Sequence, residues 1–347
     1  MRVSNNLDIS LPIAVWLLHD EYDYVDKPNY VSATSLMKPV RQLILSKRVP
    51  KEKQAPDVSE YIARALGHAI HTAIEHAWVN GKETPLKLLG YSKEIIERIV
   101  VNPSPEQLRA SNDIIPVYFE QRGFREVDVN GTTYTIGGKF DMVAEGIVQD
   151  FKSTSVWSWI KGTKDDDYSR QGSIYRWLHK DKIEEDYIRI NFIFTDWQKS
   201  MVKTNPAYPQ KRVEYKDIPL TSEKETESWI RSRLLLIERY KDAPESEIPE
   251  CTDEELWRSL PKFKFFSDPA KAKDPNARST KNFDDLNEAR KFQAEKGGKG
   301  VIVTVPGEPK ACAYCPAFHA CTQKDRLGLE PGATELSNDL LGAIFSS

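Results

Sequence analysis

The sequence predicts an α/β fold in which a mixed central sheet is flanked by helices. Three observations carry this expectation. Between residues 124 and 151 short period-two segments follow one another, joined by the Asn130-Gly131 pair and by Gly146, the pattern of consecutive strands with tight turns. Stretches with apolar residues at helical spacing precede and follow them, over 57–79, 168–179 and 221–240. Further alternating segments at 187–194 and 213–218 fall between those helices, the interleaving that packs helices on a sheet.

Taken in order, the first 35 residues mix apolar and acidic side chains, with one short helix expected over Leu11–Leu18. From Ser32 a helix opens with a Ser or Thr cap and is interrupted at Pro39, which lacks a backbone donor. Residues 57–79 form the strongest helix of the N-terminal half, with Asp57 or Ser59 as cap and Ile62, Leu66, Ile70, Ala73, Ile74 and Ala77 as its apolar stripe. A helical stretch is expected over 105–121, then the hairpin 124–129 and 132–136. The run Asp165-Asp166-Asp167 reads as a solvated loop before the helix 168–179. A polar, proline-containing linker at 241–249 marks a soft boundary. Beyond it come an exposed loop at 268–280, a helix at 284–293, a strand at Val301–Val305, and a polar tail from Leu327 that ends Leu-Leu-Gly-Ala-Ile-Phe, free to dock, fray or bind a partner. The expected organisation is an N-terminal helical and basic segment (1–56), a core (57–248), a four-cysteine region (249–326) and a tail (327–347).

With 347 residues, 39% hydrophobic and 29% charged, the chain suits a soluble globular protein with at least one sizeable core. No window approaches eighteen consecutive apolar residues and the N-terminus lacks a signal-peptide core, so a cytoplasmic location without membrane contact is expected. Net charge is −3, which announces no nucleic-acid partner globally. One local excess exists: Lys38, Arg41, Lys47, Arg48, Lys51 and Lys53 stand against Glu52. These cations serve phosphate contacts or form a solvated helix face.

Chemistry concentrates between Gly137 and Ser153. Two short strands meet at Gly146, each bringing one acid, Asp141 and Asp150, towards a common edge. Side chains two apart in a strand share a face, so Lys152 projects beside Asp150 while Phe151 turns to the core. Two carboxylates hold a hard divalent cation, and an ammonium beside them polarises an attacking water, which suits phosphodiester hydrolysis. On the 57–79 helix His71 and Glu75 lie one turn apart, so the carboxylate orients the imidazole or both approach a metal. Gln171 and Tyr175 repeat that spacing on a later helix. Four cysteines, Cys251 and the trio Cys312, Cys315 and Cys321, read better as a metal site than as disulfides.

Together these pieces resemble the PD-(D/E)XK nuclease superfamily, in its RecB-like branch. The matching motifs, in the family's order, are Gly67-x-x-x-His71-x-x-x-Glu75, Gly138-x-x-Asp141, Asp150-Phe-Lys152 and Gln171-x-x-x-Tyr175. The resemblance implies a restriction-endonuclease-like core binding Mg²⁺ or Mn²⁺ through Asp141, Asp150, His71 and the main-chain carbonyl of Phe151, with Glu75 orienting His71 or nearing a second metal. It implies that Lys152 positions the nucleophilic water and that Gln171 and Tyr175 organise the site and contact DNA. Cys312-x-x-Cys315-x(5)-Cys321, with Pro316 directly after Cys315, is similar to the trio that, with a distant cysteine, holds a 4Fe–4S cluster in nucleases of the AddB kind and in some CRISPR adaptation nucleases. There the distant cysteine precedes the nuclease motifs, whereas Cys251 follows them, as in phage-encoded exonucleases of the superfamily. Structural zinc is the alternative.

The implied function is a metal-dependent deoxyribonuclease, an exonuclease in DNA recombination, repair or phage replication, with DNA and a recombination or replication protein as partners. The alternatives are an endonuclease or junction resolvase, and a catalytically silent DNA-binding or scaffold protein of the same fold.

Overall fold

The computed structural model describes residues 3–50, 56–274 and 276–329. Lys51 and Lys53 of the basic cluster, and the tail from Glu330 onward, lie outside the described residues. Two compact units form: 3–40, 50 and 56–242 make the first, and 41–49 with 243–329 the second. Among the described residues no helix is long and apolar enough to cross a membrane.

Among the described residues the first unit holds nine strands: β1 (Tyr30–Ser32), β2 (Ile99–Val101), β3 (Ile115–Phe119), β4 (Arg122–Val129), β5 (Thr132–Lys139), β6 (Met142–Ala144), β7 (Ile147–Thr154), β8 (Tyr187–Phe194) and β9 (Val213–Pro219). Six of them build a central mixed sheet in the order β2-β3-β6-β7-β8-β9. Pairing is parallel for β2 with β3 and β7 with β8, and antiparallel elsewhere. β1, β5 and β4 form a separate three-stranded sheet. The β4–β5 hairpin turns at Asn130 (φ 49°) and Gly131 (φ 82°), the pair of left-handed residues that a two-residue turn matching strand twist requires.

The helix Ile62–Gly81 follows a one-turn start at Val58–Tyr61. There Asp57 and Glu60 form a reciprocal capping box that satisfies two otherwise orphaned donors. Val58 and Ala65 pack with Ala14 and Leu17 of the Leu11–Leu18 helix, while Ile74 and Trp78 pack on a core cluster containing Val117, Phe119 and Met142 from the sheet. The parallel β7–β8 step is bridged by helices Val156–Lys161 and Asp165–Leu178, the crossover that parallel neighbours need.

Two expectations are corrected. Only Pro105–Ala110 of the stretch 105–121 is helical, opened by a Ser104–Gln107 capping box; Ile115–Phe119 is β3. Pro116 argues against a strand, yet the β-branched and aromatic run around it pairs with β2 and β6. The acids 165–167 form the first turn of the Asp165–Leu178 helix, where their charge complements the helix dipole.

The second unit contains an antiparallel sheet of β10 (Lys262–Phe266), β11 (Lys281–Phe283) and β12 (Val301–Val305), ordered β11-β10-β12, with the helix Leu286–Glu295 packed through Ala289 and Phe292 on Phe265 and Phe283. β10 and β11 went unforeseen because charged residues interrupt their apolar ones.

Candidate active site

The sheet sorts β7 by alternation. Phe151 packs on the core cluster that Ile74 and Trp78 also cover, and its ring meets His71 edge-on with centres 6.0 Å apart, so Asp150 and Lys152 project from the other face. There Lys152 lies 5.9 Å from the ring centre of Tyr168 on the Asp165–Leu178 helix. Asp150 is buried, and its Oδ2 stands 2.8 Å from Lys152 Nζ without a hydrogen bond of good geometry. The Tyr175 end of the helix sits tightly over β5: a Cβ on Gly138 would stand 2.8 Å from Leu178 and 3.1 Å from the Tyr175 ring. Gln171 Nε2 donates to Tyr175 Oη at 2.9 Å, and both side chains are buried.

Asp141 lies between β5 and β6. Its Oδ2 accepts the Phe151 amide at 3.0 Å and lies 3.5 Å from His71 Nδ1. His71 Nε2 meets the Phe151 carbonyl at 2.8 Å. Ligand atoms of His71, Asp141 and Glu120 all come within 4.8 Å of one another, the only such trio of His, Cys, Asp or Glu among the described residues. Glu120 was absent from the sequence reading. It follows β3 directly, in a left-handed backbone conformation (φ 51°) rare for a non-glycine residue, with its amide on the Asp141 carbonyl (3.1 Å) and its carboxylate 2.6 Å from Lys139 Nζ. An acid ending an apolar strand just before a hairpin is a readable signal, hidden here by the helical reading of 105–121. Glu75 is half-buried and makes no hydrogen bond or ion pair among the described residues.

The trio offers a nitrogen and carboxylate oxygens, the donors that hard or borderline divalent cations take. Asp150, whose buried Oδ2 lacks a hydrogen bond, acts electrostatically on Asp141 but does not join the trio within 4.8 Å. The trio therefore fits a divalent metal ion. Burial, then the Asp150 carboxylate, pushes Asp141 up to about 7 against the opposing pull of His71 and Lys152. Burial disfavours the charge on Lys152, but Asp150 and Asp141 outweigh it and hold the ammonium above its ordinary value. Burial and Lys152 lower Lys164 to about 8, with Asp167 acting the other way. Burial carries Tyr175 well above the usual phenol value, with Asp141 and Asp150 adding to the effect.

In the second unit the sequence-distant Cys251 is tied to the trio's neighbourhood by Gln323, which accepts from the Cys251 amide and donates to its carbonyl, each at 2.9 Å. Arg41 Nε donates to Cys321 Sγ at 3.1 Å. Burial raises Cys251 to about 12, with Glu255, Cys321 and Cys315 contributing, and raises Cys312 to about 11, with Cys315 and Cys321 contributing. Among the described residues no three of the sulfurs lie within 4.8 Å of one another.

Of the basic residues expected to meet DNA, Lys38, Lys47 and Arg48 are exposed. Arg41 is corrected. At 3% exposure it is enclosed, ion-paired to Glu245 and hydrogen-bonded to the Ile248 carbonyl at 2.9 Å, so its guanidinium does not face a phosphate.

No family model matches the chain, and no curated protein matches it. Among solved structures, the chain is similar to SSO0001 at 17% identity, over 68% of this chain and 89% of that one, with a TM-score of 0.40. It is also similar to a phage-related exonuclease from Haemophilus somnus 129PT at 17% identity, over 63% of this chain and 96% of that one, with a TM-score of 0.27.

Proposed function

We propose that the protein is a metal-dependent deoxyribonuclease of the RecB-like kind, working as an exonuclease with DNA as its partner in recombination, repair or phage replication. The observation that carries this reading is the convergence of His71, Glu120 and Asp141 within 4.8 Å, beside the buried Asp150 paired with the partly buried Lys152. His71, Glu120, Asp141 and Asp150 would hold Mg²⁺ or Mn²⁺, which supplies charge neutralisation at a phosphate and a more acidic bound water. The rest falls to the chain. Asp150 fixes the Lys152 ammonium, and because that ammonium stays charged it opposes the negative charge that builds on phosphorus-bound oxygens in the transition state. Gln171 and Tyr175 lock each other beneath the carboxylates and keep that end of the pocket shaped.

End-labelled DNA with Mg²⁺ or Mn²⁺ tests the reading. Wild type should degrade it, and Lys152→Ala should lose on the order of 100-fold or more in kcat; equal rates would remove Lys152 from the site. A covalently closed circle cut as fast as a linear duplex would replace the exonuclease reading with an endonuclease one.

For the cysteines we propose a 4Fe–4S cluster in preference to zinc. The preference rests on the Cys312-x-x-Cys315-x(5)-Cys321 spacing with Pro316 directly after Cys315, the pattern of an iron–sulfur loop. Anaerobically purified protein should be coloured and contain iron with acid-labile sulfide; stoichiometric zinc in a colourless preparation would reverse the assignment.

A further inference from the structure

We propose that the Tyr168 hydroxyl is an additional catalytic residue, donating a hydrogen bond to a non-bridging oxygen of the scissile phosphate on the Lys152 side of the pocket. The inference rests on the nuclease reading and extends it to a residue in none of the four motifs.

Tyr168 is 5% exposed, and its ring meets Phe192 edge-on with centres 6.2 Å apart. Its hydroxyl makes no hydrogen bond to any described residue. A buried hydroxyl left in that state destabilises the fold, because its lost hydration is not replaced. Phenylalanine would fill the same space, keep the contact with Phe192 and avoid that cost. The hydroxyl is thus a local stability defect placed beside the chemistry, the kind of conflict that functional sites tolerate.

Its surroundings select the acceptor. Lys152 Nζ is 5.9 Å from the ring centre, and Asp150, paired to Lys152, lies in the same electrostatic environment. Lys164 stands one turn earlier on the chain and also feels Lys152. Burial raises the phenol to about 12, with Lys152 opposing and Asp150, Asp165 and Asp167 adding, so at neutral pH the group is a neutral donor. A neutral donor beside the Lys152 ammonium suits an incoming anionic oxygen. A phenol is a poor ligand for a hard cation already surrounded by carboxylates, which leaves the phosphate as its match.

The test compares wild type, Tyr168→Phe and Lys152→Ala on end-labelled DNA with Mg²⁺, together with urea denaturation of each protein. Tyr168→Phe should lower kcat on the order of 100-fold, as loss of one transition-state donor does, with KM little changed and stability equal to or above wild type. Wild-type kcat in Tyr168→Phe would overturn the inference while leaving the nuclease reading intact. A less stable Tyr168→Phe would also overturn it, by revealing that the hydroxyl is used within the fold. A wild type that cleaves no DNA would overturn the nuclease reading and this inference with it.

Discussion

His71 Nε2 and the Phe151 carbonyl oxygen are joined across 2.8 Å, linking the helix Ile62–Gly81 to the strand that carries Asp150 and Lys152. A carbonyl only accepts, so Nε2 carries the proton, and Nδ1, 3.5 Å from Asp141, is the ring atom left for a cation. The strand thereby orients the imidazole, as outer hydrogen bonds orient metal-bound histidines. His71→Ala should weaken Mn²⁺ binding on the order of 10–100-fold, as measured by calorimetric titration. His76→Ala, which removes an exposed imidazole on the same helix, should leave it unchanged.

Asp141 gives the site a pH dependence of defined sign. Its carboxyl titrates near 7 in the folded protein against 3.8 when unperturbed. Between those values the folded chain holds more protons than the unfolded one, so the group's contribution to stability is complete at low pH and is lost as pH rises through about 7. Cation binding runs the other way, because it needs the ionised carboxylate and expels the proton. Mn²⁺ affinity should therefore fall as pH drops below about 7, by up to about tenfold per pH unit. Calorimetry in two buffers of different ionisation heat should show proton release that vanishes in Asp141→Asn.

Gly138 is required for space. Its substitution by alanine drives a methyl into the Tyr175 ring and Leu178. Such overpacking costs about 1–3 kcal/mol, readable as a lower urea midpoint. Because Tyr175 is locked to Gln171, kcat should fall as well. Gly131→Asn, in the exposed hairpin turn where a left-handed residue is tolerated, should spare kcat.

Arg41 separates surface charge from buried pairing. Arg41→Ala leaves the partly buried Glu245 carboxylate without its cationic partner, held only by Thr322 among the described residues, and removes the donor to Cys321 Sγ. A stability loss of about 3 kcal/mol is expected, with lower iron retention on purification. The salt dependence of DNA binding should stay as in wild type. Loss of one phosphate contact from that slope would return Arg41 to the DNA surface.

Much of the sheet and both site helices were legible because burial imposes periods of 2 and 3.6 on the sequence. β7 and β8 could be read from their alternation, and the hairpin from Asn130-Gly131. Pro116 hid β3, and with β3 went Glu120. Tyr168 gave no signal of its own, since a tyrosine on a helix face looks like ordinary packing until its hydroxyl is seen without a partner. Arg41 illustrates the converse. A run of basic residues says nothing about which of them turns inward, because the partners Glu245 and Cys321 lie more than two hundred residues away.

That separation bears on how the chain is made. Segment 41–49 belongs with residues 243–329, so the second unit is assembled from an early piece and a late one. At roughly 5–20 residues per second of synthesis, Arg41 leaves the ribosome on the order of 15–60 s before Cys321, 280 residues later. Throughout that interval Ile44 and Leu45, enclosed in the finished protein, lack the rest of their unit. The C-terminal region thus supplies the missing half of a structure begun near residue 41, and a chain cut short before residue 243 is born with that half unmade.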